Sequence, residues 1–454
     1  MFEALYSAAE MRAAEEAYPG YPATVPELME RAGAAVATEL LRAYPTARRV
    51  VAVCGDGSNG GDGRVAVRGL REAGLGAEET DVLDGADVVI DALFGTGFRG
   101  APRKEAAALI ERINTSGVPV VAVDIPSGVD ASTGETPGAA VRADLTVTFH
   151  GLKVGLAVAP GRFLAGEVVV AGIGLRPVAT AAQRVTTEIL RLVPHRGAED
   201  TKYTAGSVLV VGGSPGMTGA AALTSLAAEA ALRADAGYVT VAVPEASLPA
   251  VEALVLEPVK VGWPDGRALE TVLAAAGRAG AVALGPGLGR DEEAHALVRA
   301  LLERLELPVV VDADALFGLE PGAWKARAVL TPHAGELARL LGRDAAWVNA
   351  HRLEAASTVA ERFSCVCLLK GADTIVAAPG EGALVCDLGP PSLATAGSGD
   401  VLSGILAAFL AKGLEPRLAA AAAAAAHGVA ATLVPHQAGL VASDIVEHLP
   451  AALG

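Results

Sequence analysis

The sequence is poor in cysteine and has no long apolar run. Its four cysteines, Cys54, Cys365, Cys367 and Cys386, form no CxxC pair, and the middle two alternate within a strand-like run. We therefore expect buried free thiols rather than a zinc site or disulfides. No apolar run approaches the ~20 residues that span a bilayer, and the first five residues lack the basic start and apolar core of a secretory signal. These absences predict a soluble, cytoplasmic protein.

Basic residues are also scarce relative to acidic ones. Against 36 Lys and Arg stand 52 Asp and Glu, which gives a formal net charge of -16 at pH 7. Such a charge argues against nucleic acid or an anionic membrane as a partner. A phosphorylated ligand must then be held locally, by backbone amides and a few cations. The 454 residues exceed one ordinary core and, at ~100–200 residues per domain, predict two domains.

Two series of short apolar runs, each run ending in Gly or Asp, predict two α/β domains with parallel sheets. The first series is 50–54, 87–93 and 118–124, and the second is 207–213, 238–243, 281–285, 309–312 and 366–370. The polar stretch Leu192 to Lys202 lies between them, so we place the boundary near Pro194 to Arg196, with domains 1–195 and 196–454. The first is expected to be a Rossmann-like three-layer α/β/α sandwich. Ligands of such sheets bind beyond the carboxyl ends of the strands.

Helices are predicted at both ends of the chain. Residues 1 to about 45 are expected to be helical, with Thr24 as an N-cap ahead of a proline and an acid. The run Ala419 to Ala426 predicts a closely packed helix of small side chains. His427, which follows it, is interpreted as a structural residue rather than a ligand.

The most informative stretch is Pro391 to Gly404. Gly397, Ser398 and Gly399 precede Asp400, and the apolar residues that follow have helical spacing, so we expect a helix N-terminus that can bind an anion. There Asp400 could accept the proton of an attacking hydroxyl during phosphoryl transfer. Equally, Asp400 could be a helix cap beside glycines that only make a turn. The segment by itself leaves both interpretations open.

The first domain has a glycine-rich turn after its first strand. Gly55, Gly57 and Gly60 spell GxGxxG, but the match is weak. A Rossmann site needs a strand that ends in an acid further along the chain, and the residues at that place, 75–81, make a poor strand. Two further strand ends, beginning at Asp91 and Asp124, should meet this turn at one crevice. Oxygens of Asn59, Asp91 and Ser127 could hold a monovalent cation there. The alternative is that Asp91 and Asp124 only cap following helices.

Four motifs in this region, GDGSNGGDG, DALFGTG, DIPSGVD and His150 to Lys153, together resemble the NAD(P)HX epimerase domain over residues 1 to about 195. The resemblance implies that Asn59, Asp91 and Ser127 bind K⁺, and that Asp124 and Lys153 are the acid and base, although Lys153 could instead contact a phosphate. It assigns the following residues to the hydrated dinucleotide: Ser58, Asn59, Gly60, Gly61, Asp62, Gly95, Thr96, Gly97, Phe98, Arg99, Gly100, Ala101 and Asp124. Ser58 departs from the family, which usually has Asn there.

The second domain repeats small-residue and charged motifs at strand ends: GGSPGMTG, GPGLG, Asp312 to Asp314, TPHAGE and KGADT. His333, in a loop, is favoured as a ligand contact, and Lys370 beside Gly371 offers a cation for a nucleotide phosphate, or is only a solvent-exposed strand end. Together these motifs resemble the ADP-dependent NAD(P)H-hydrate dehydratase, a ribokinase-like α/β fold, over about 200 to 450. The resemblance assigns Ala220, Gly287, His333 and Asp400 to the hydrated dinucleotide, and Lys370, Gly371, Ala372, Asp373, Thr374 and Gly399 to the adenine nucleotide. Pro390 departs from the family, which commonly has Asn there.

Both resemblances imply a bifunctional enzyme that repairs hydrated NADH and NADPH, with K⁺ in the epimerase and Mg²⁺ with ADP in the dehydratase. Asp400 would be the base of the dehydratase. We also expect a homo-oligomer. Two alternatives stay open: a ribokinase-like kinase of a small alcohol or vitamin, and a first domain that only binds a dinucleotide.

Overall fold

A computed structural model describes residues 1–454 and divides the chain into two compact units. The N-terminal unit comprises residues 4–183 with 349–351, and the C-terminal unit comprises residues 1–3, 184–348 and 352–454. Both units are α/β, as predicted. The residues from Arg184 onward pack with the second unit, since Ile189 and Val193 are buried in its core. The division of function at residue 195 stays a prediction.

The N-terminal unit is built on a six-stranded parallel sheet in the order β3-β2-β4-β5-β6-β7. The strands of the first 185 residues are β1 (Phe2–Leu5), β2 (Arg49–Cys54), β3 (Gly76–Glu79), β4 (Val88–Ala92), β5 (Val120–Val123), β6 (Leu145–Phe149), β7 (Glu167–Ala171) and β8 (Ala182–Val185). The helices are α1 (Ala8–Glu16), α2 (Val25–Ala43), α3 (Ser58–Glu72), α4 (Lys104–Thr115) and α5 (Val154–Ala157). Apolar clusters cover both faces of the sheet, which confirms the predicted sandwich.

Two local predictions need correction. The stretch judged a poor strand contains β3, an edge strand of four residues that pairs with β2 despite its low β-propensity. Helix α2 begins at Val25 as predicted, but the Thr24 side chain makes no capping hydrogen bond.

The C-terminal unit carries the larger sheet, in the order β1-β8-β17-β16-β15-β14-β13-β12-β9-β10-β11. Its further strands are β9 (Ser207–Val211), β10 (Tyr238–Pro244), β11 (Val259–Trp263), β12 (Ala281–Leu284), β13 (Pro308–Val311), β14 (Arg327–Leu330), β15 (Val366–Leu369), β16 (Thr374–Ala377) and β17 (Leu384–Cys386). Strands β9 to β15 pair in parallel, and β16 and β17 extend the sheet antiparallel. The carboxyl ends of the parallel strands therefore share one edge, where ligands bind in such folds.

The helices of this part are α6 (Thr218–Arg233), α7 (Leu248–Leu254), α8 (Ala268–Ala276), α9 (Glu292–Arg304), α10 (Ala334–Leu341), α11 (Ala345–Ala350), α12 (Arg352–Phe363), α13 (Ser398–Ala411), α14 (Pro416–Leu433) and α15 (Ala442–Leu453). The alanine run lies inside α14 and is buried throughout, which confirms the predicted close-packed helix. Helix α13 approaches α6 so closely that a side-chain carbon on Gly404 would lie 2.1 Å from the Ala227 carbonyl oxygen. No helix combines the length and apolar character needed to cross a membrane.

The thiols follow the prediction in part. All four cysteines are free, and three of them are buried while Cys54 is half-buried. Burial raises the pKa of Cys54 to about 11, so this thiol is protonated at neutral pH and is no nucleophile.

Candidate active sites

A cavity of about 980 Å³ opens in the N-terminal unit beyond the carboxyl ends of β2, β4 and β5. Its wall combines the turn after β2, the loop after β4, Asp124 and the inner face of α1 and α2. Pockets for small molecules and cofactors typically measure ~300–1,000 Å³. A cavity of this volume therefore has room for a ligand as large as a dinucleotide. Three loops from neighbouring strands thus converge as predicted.

Two glycines of the turn after β2, Gly55 and Gly60, are needed for its own packing. A side-chain carbon on Gly60 would lie 1.9 Å from the Gly55 carbonyl oxygen, and one on Gly55 would lie 2.2 Å from the Leu93 carbonyl oxygen. The acid that ends β3, Glu79, is bound to Arg64 at 2.9 Å. Close backbone contact therefore explains Gly55 and Gly60, whereas a side-chain carbon on Gly57 would meet nothing within 4 Å. The carboxylate that a Rossmann site would use is already paired.

The three residues predicted to hold a cation lie together. Ser127 donates to Asp91 through its hydroxyl (2.6 Å) and its backbone amide (2.8 Å). Asn59 donates from Nδ2 to the Phe94 carbonyl (3.0 Å), and its Oδ1 would lie 2.9 Å from a side-chain carbon on Gly95. Asp91 is fully buried, and burial raises its pKa to about 6 against the hydrogen bonds from Ser127. Neither Asp91 nor Asp124 begins a helix, because the next helices start at Lys104 and Val154.

Asp124 and Lys153 form a buried ion pair. Lys153 Nζ lies 2.6 Å from Asp124 Oδ1 and also donates to Thr148 Oγ1 (2.9 Å) and the Phe149 carbonyl (2.7 Å). Asp124 has a left-handed backbone (φ 67°) that turns its carboxyl group toward this ammonium and into the cavity wall. The lysine side chain is completely buried. A phosphate contact would need a free N–H group, and Lys153 has used all three.

Two half-buried carboxyl groups, Asp62 and Glu15, also line this cavity. Burial, together with the charges of Asp124 and Glu15, raises the pKa of Asp62 to about 8 although Lys153 acts in the opposite direction. Burial and Asp124 also raise the pKa of Glu15, which lies in the last turn of α1. Sequence reasoning missed Glu15 because an acid within a surface helix carries no motif. The nearest available signal was its place beside Met11 on the face of α1 that turns inward.

The loop after β4 divides in two. Residues Gly95 to Phe98 line the cavity, and the rings of Phe94 and Phe98 stack with centroids 4.6 Å apart. Arg99 turns away to Asp130 (2.7 Å) and Ser132 (2.9 Å). Gly100 and Ala101 do not contribute to the cavity wall, and neither do Gly60 and Gly61, whereas Ser58 and Asn59 do.

In the C-terminal unit, Asp400 lies in the first turn of α13. The N-cap position is Gly397, whose positive φ of 86° favours glycine, so Asp400 is not the cap. Burial and the charge of Asp312 raise the pKa of Asp400 to about 7, against the opposite effect of Lys370. A carboxyl group that titrates near neutral pH at a helix N-terminus has the properties of a general base.

Lys370 lies at the centre of this site. Its Nζ is 2.7 Å from Asp312 Oδ1, and a side-chain carbon on Gly399 would lie 3.1 Å from that ammonium. Burial acts to lower the pKa of Lys370, but the carboxylates of Asp312 and Glu336 outweigh it and raise the pKa. Ser403, from the next turn of α13, donates to the second oxygen of Asp312 (2.7 Å). Lys370 is therefore no solvent-exposed strand end, and Asp312, which was given no role from the sequence, holds it beside Gly399 in the first turn of α13.

A buried ion pair between Arg352 and Asp373 holds the loop Lys370 to Thr374 in place. Arg352 Nε contacts both carboxylate oxygens of Asp373 at 2.9 and 3.0 Å, and the guanidinium also donates to the carbonyls of Asp373 (3.2 Å) and Lys370 (3.4 Å). Gly371 packs on the same guanidinium, where a side-chain carbon would lie 2.3 Å from Nη2. The Asp373 side chain thus supports the loop. Thr374 closes it by donating to the Gly371 carbonyl (3.1 Å).

His333 is the N-cap of α10. Its Nδ1 accepts from the backbone amides of Gly335 (3.0 Å) and Glu336 (3.4 Å), while Glu336 accepts from the His333 amide (2.9 Å). More than half of the imidazole stays exposed, so it caps the helix and also faces solvent. Burial lowers its pKa, with Lys370 acting in the same direction.

The other predicted contacts are glycine or alanine positions. A side-chain carbon on Gly287 would lie 2.7 Å from Ala220 Cβ, so these two residues touch.

Pro390 precedes a short 3₁₀ turn, Pro391–Leu393, that leads into α13. His427 is buried in α14, and burial lowers its pKa to about 4, which fits the structural role expected of it.

Two family models match the chain. One, described as NAD(P)H-hydrate dehydratase, matches residues 208–451, and one for the YjeF-related protein N-terminus matches residues 25–78 and 76–155. Curated relatives named bifunctional NAD(P)H-hydrate repair enzyme match over almost their full length. That of Moorella thermoacetica is 38% identical over 94% of this chain and 92% of its own, and that of Escherichia coli is 35% identical over 94% and 89%.

Solved structures match the C-terminal part of the chain. The ADP/ATP-dependent NAD(P)H-hydrate dehydratase of Bacillus subtilis, co-crystallized with ATP/Mg²⁺, is 30% identical with a TM-score of 0.52, and covers 59% of this chain and 96% of its own. A ribokinase-like superfamily protein of Enterococcus faecalis V583 (22% identity, TM-score 0.51, covering 61% and 97%) shows the same fold.

Proposed function

The chain belongs to the family of bifunctional NAD(P)H-hydrate repair enzymes, and from this we propose that it restores NADH and NADPH from their hydrates. We assign an epimerase to residues 1–195 and an S-specific dehydratase to residues 196–454. The observation that carries the proposal is the cluster of Asp400, Lys370 and Asp312 at the N-terminus of α13. It joins a base that titrates near neutral pH to a cation at the N-terminus of a helix.

In the dehydratase, Asp400 accepts the proton of the C6 hydroxyl as that oxygen attacks the terminal phosphorus of an adenine nucleotide. The amides before Asp400 and the Lys370 ammonium stabilise the charge on the transferred phosphoryl group. The C6–O bond of the phosphate ester then breaks with its electron pair on the departing phosphate, and loss of the C5 proton to water forms the C5=C6 double bond of the dihydronicotinamide. ADP as the donor, giving AMP and phosphate, is the version we propose, and Mg²⁺ held by the nucleotide phosphates would neutralise their charge.

The nucleotide and the hydrate are assigned to neighbouring parts of this site. The loop Lys370 to Thr374 with Gly399 takes the adenine nucleotide, and Ala220, Gly287 and His333 take the hydrate beside Asp400. The contact between Gly287 and Ala220 supports a shared wall for one ligand. The ion pair beneath the nucleotide loop supports a preorganised backbone there.

In the epimerase, the cavity of the N-terminal unit takes the R or S hydrate. Asn59, Asp91 and Ser127 offer carboxylate, amide and hydroxyl oxygens that fit K⁺, and a cation would offset the charge of the fully buried Asp91. Bound there, K⁺ would supply local positive charge near the loop Gly95 to Phe98. Asp124 then acts as the base on the substrate.

The free thiols support a cytoplasmic location. We also propose a homo-oligomer, which light scattering on the purified protein decides.

The test is recovery of the dihydronicotinamide absorbance from mixed-epimer hydrated NADH with Mg²⁺ and either ADP or ATP. We expect complete recovery, because the R epimer is converted as the S epimer is consumed. If only the S fraction is recovered, and the R epimer is converted no faster than it epimerises spontaneously, the proposed epimerase is wrong. A stable phosphorylated product without absorbance would identify a small-molecule kinase instead.

A further inference from the structure

Four ionisable groups interact with one another at the cavity of the N-terminal unit, and they do not all reach a ligand. The carboxyl groups of Asp62, Glu15 and Asp124 belong to the cavity wall, whereas Lys153 does not and is 0% exposed. A group that exchanges a proton with the substrate must touch it. The lysine therefore differs from the three acids in access as well as in charge.

The hydrogen-bonding capacity of Lys153 is exhausted. An ammonium has three N–H groups and no lone pair, and three acceptors surround this one: Asp124 Oδ1 at 2.6 Å, Thr148 Oγ1 at 2.9 Å and the Phe149 carbonyl at 2.7 Å. None of its protons points to the cavity. Lys153 is thus placed to orient Asp124, and an acid for the reaction must come from another side chain.

Asp124 is the base rather than that acid. Besides the ammonium, it receives hydrogen bonds from the Thr148 hydroxyl (3.1 Å) and the Phe149 amide (3.4 Å). A carboxyl group that only accepts hydrogen bonds from the protein has no proton to give. Of the other carboxyl groups in the wall, Asp56, Asp81 and Glu105 are exposed, whereas Asp62 and Glu15 are half-buried and interact with Asp124. The proton donor is therefore sought between Asp62 and Glu15.

Asp62 is the carboxyl group best placed to donate. It lies on the second turn of α3, beyond the reach of the first-turn amides, and no hydrogen bond from the protein stabilises its charged form. Burial, with the charges of Asp124 and Glu15, raises the pKa of Asp62 to about 8, so the group carries its proton at neutral pH. Its proton is free for a ligand.

We propose that Asp62 is the general acid of the epimerase, that Asp124 is its general base, and that Lys153 is a positioning residue for Asp124. This assignment rests on the epimerase function proposed above. Glu15 acts on Asp62 through its charge and is not itself the donor.

The chemistry balances with these two groups alone. Asp62 gives its proton to the C6 hydroxyl, the C6–O bond breaks with its electron pair on oxygen, and water leaves while the N1 lone pair forms a C6=N1 iminium. Water then adds to the other face of C6, the iminium electrons return to N1, and Asp124 takes the proton of the attacking water. Proton exchange with solvent returns both carboxyl groups to their starting forms, and no oxidant or cosubstrate is used.

The first test compares wild type with Asp62→Asn, following conversion of the R hydrate with excess separate dehydratase as the reporter. General acid catalysis typically contributes ~10²–10⁴-fold, so we expect Asp62→Asn to lose at least about 100-fold in the epimerisation rate above background. Asp62→Glu, which restores a carboxyl group, should recover part of it. The dehydration rate of the S hydrate by the same variants should be unchanged.

The second test compares the pH profile of epimerisation in wild type and in Glu15→Gln. A purely structural role of Asp62 would leave this profile unchanged. The charged groups that act on Asp62 are Asp124 after β5, Glu15 from α1 and Lys153 before α5, and Arg12 of α1 acts on Glu15. Wild-type epimerisation should fall as the pH rises through about 8, where Asp62 loses its proton. Removing the Glu15 charge should move this fall to lower pH while activity at neutral pH persists.

The outcomes separate cleanly. An Asp62→Asn enzyme within about threefold of wild type, or an unchanged alkaline limb in Glu15→Gln, would overturn the assignment of Asp62. Loss of all activity in Glu15→Gln would make Glu15 the donor and overturn it as well. A wild-type protein that does not accelerate epimerisation at all would overturn the proposed epimerase, and this inference with it.

Discussion

The Lys370 ammonium is held 2.7 Å from Asp312 Oδ1, and this ion pair controls the protonation of Asp400 beside it. Asp312 raises the pKa of Asp400 to about 7 together with burial, and Lys370 counteracts it. A base must be deprotonated to act, so the dehydration rate of wild type should rise as the pH increases through about 7.

Asp312→Asn tests this control. It removes a negative charge near Asp400 and releases the Lys370 ammonium, and both changes favour the ionised carboxylate. The acid limb of the dehydration rate should therefore move to lower pH, while Asp400→Asn should abolish dehydration and leave nucleotide binding largely intact. Retained turnover in Asp400→Asn would remove Asp400 as the base.

The buried ion pair under the nucleotide loop predicts a second result. Breaking such a pair from one side costs about 3–5 kcal/mol, because the remaining charge stays buried without its partner. Asp373→Asn should lower the free energy of unfolding of the C-terminal unit by that order and raise the KM for the nucleotide. The control is Arg267→Gln, which breaks an exposed pair with Glu270 and should change stability by less than about 1 kcal/mol. Equal effects of the two variants in denaturant titrations would refute this role.

The strand-end positions of most site residues could be predicted from the sequence, since parallel sheets place their carboxyl ends on one edge. Lys370 and Asp91 follow short apolar runs that periodicity identifies, and Asp400 is found from the glycines that precede an apolar run with helical spacing. What the sequence could not show is which charged side chains form ion pairs with each other. Asp312 and Lys370 are 58 residues apart and come from different strands, and only the pairing of β13, β14 and β15 brings them together.

The features that the sequence analysis did not find also depend on tertiary contacts. Residues Gly76 to Glu79 have little β-propensity and form a strand only because β2 offers its edge. Glu15 lies on a helix with no motif, and its importance comes from facing Asp62 and Asp124. The burial of the Lys153 side chain and its three acceptors could not be read from the sequence either, and its role in the reaction stays a prediction.

The second buried ion pair, Lys153 with Asp124, should behave differently from surface pairs of the same unit. Lys153→Met leaves Asp124 without its cation, and we expect loss of epimerisation together with a stability loss of about 3–5 kcal/mol. Arg68→Gln, which breaks an exposed pair with Glu30, is the matched control and should have little effect on either. Full epimerase activity in Lys153→Met would show that Asp124 needs no positioning.

Potassium should stabilise the N-terminal unit through Asn59, Asp91 and Ser127. A bound ligand adds RT ln(1 + [L]/Kd), about 2.7 kcal/mol at 100 times Kd, so the unfolding midpoint should rise in KCl over choline chloride at equal ionic strength. Asn59→Ala should lose this difference. In wild type, removing K⁺ should lower the epimerisation rate and leave dehydration unchanged. Identical midpoints in both salts would exclude a potassium site here.

Asp62 links the proposed chemistry to stability. Its pKa of about 8 in the folded protein lies above the ordinary value of 3.8, so the folded state holds a proton that the unfolded chain has already lost. The stability it contributes is therefore fully present below the ordinary value and is lost as the pH rises toward about 8. Asp62→Asn cannot ionise and escapes this loss, although it should be catalytically impaired.

The difference in unfolding midpoint between Asp62→Asn and wild type should thus grow with pH up to about 8 and then stay constant. Each kcal/mol corresponds to about 2–4 °C for a unit of this size, which calorimetry across a pH series resolves. Ser58→Ala, a change of a neutral residue in the same cavity wall, should show a pH-independent difference. A midpoint difference for Asp62→Asn that does not change with pH would mean that Asp62 is ionised in the folded enzyme at neutral pH, and a carboxylate could not be the proton donor.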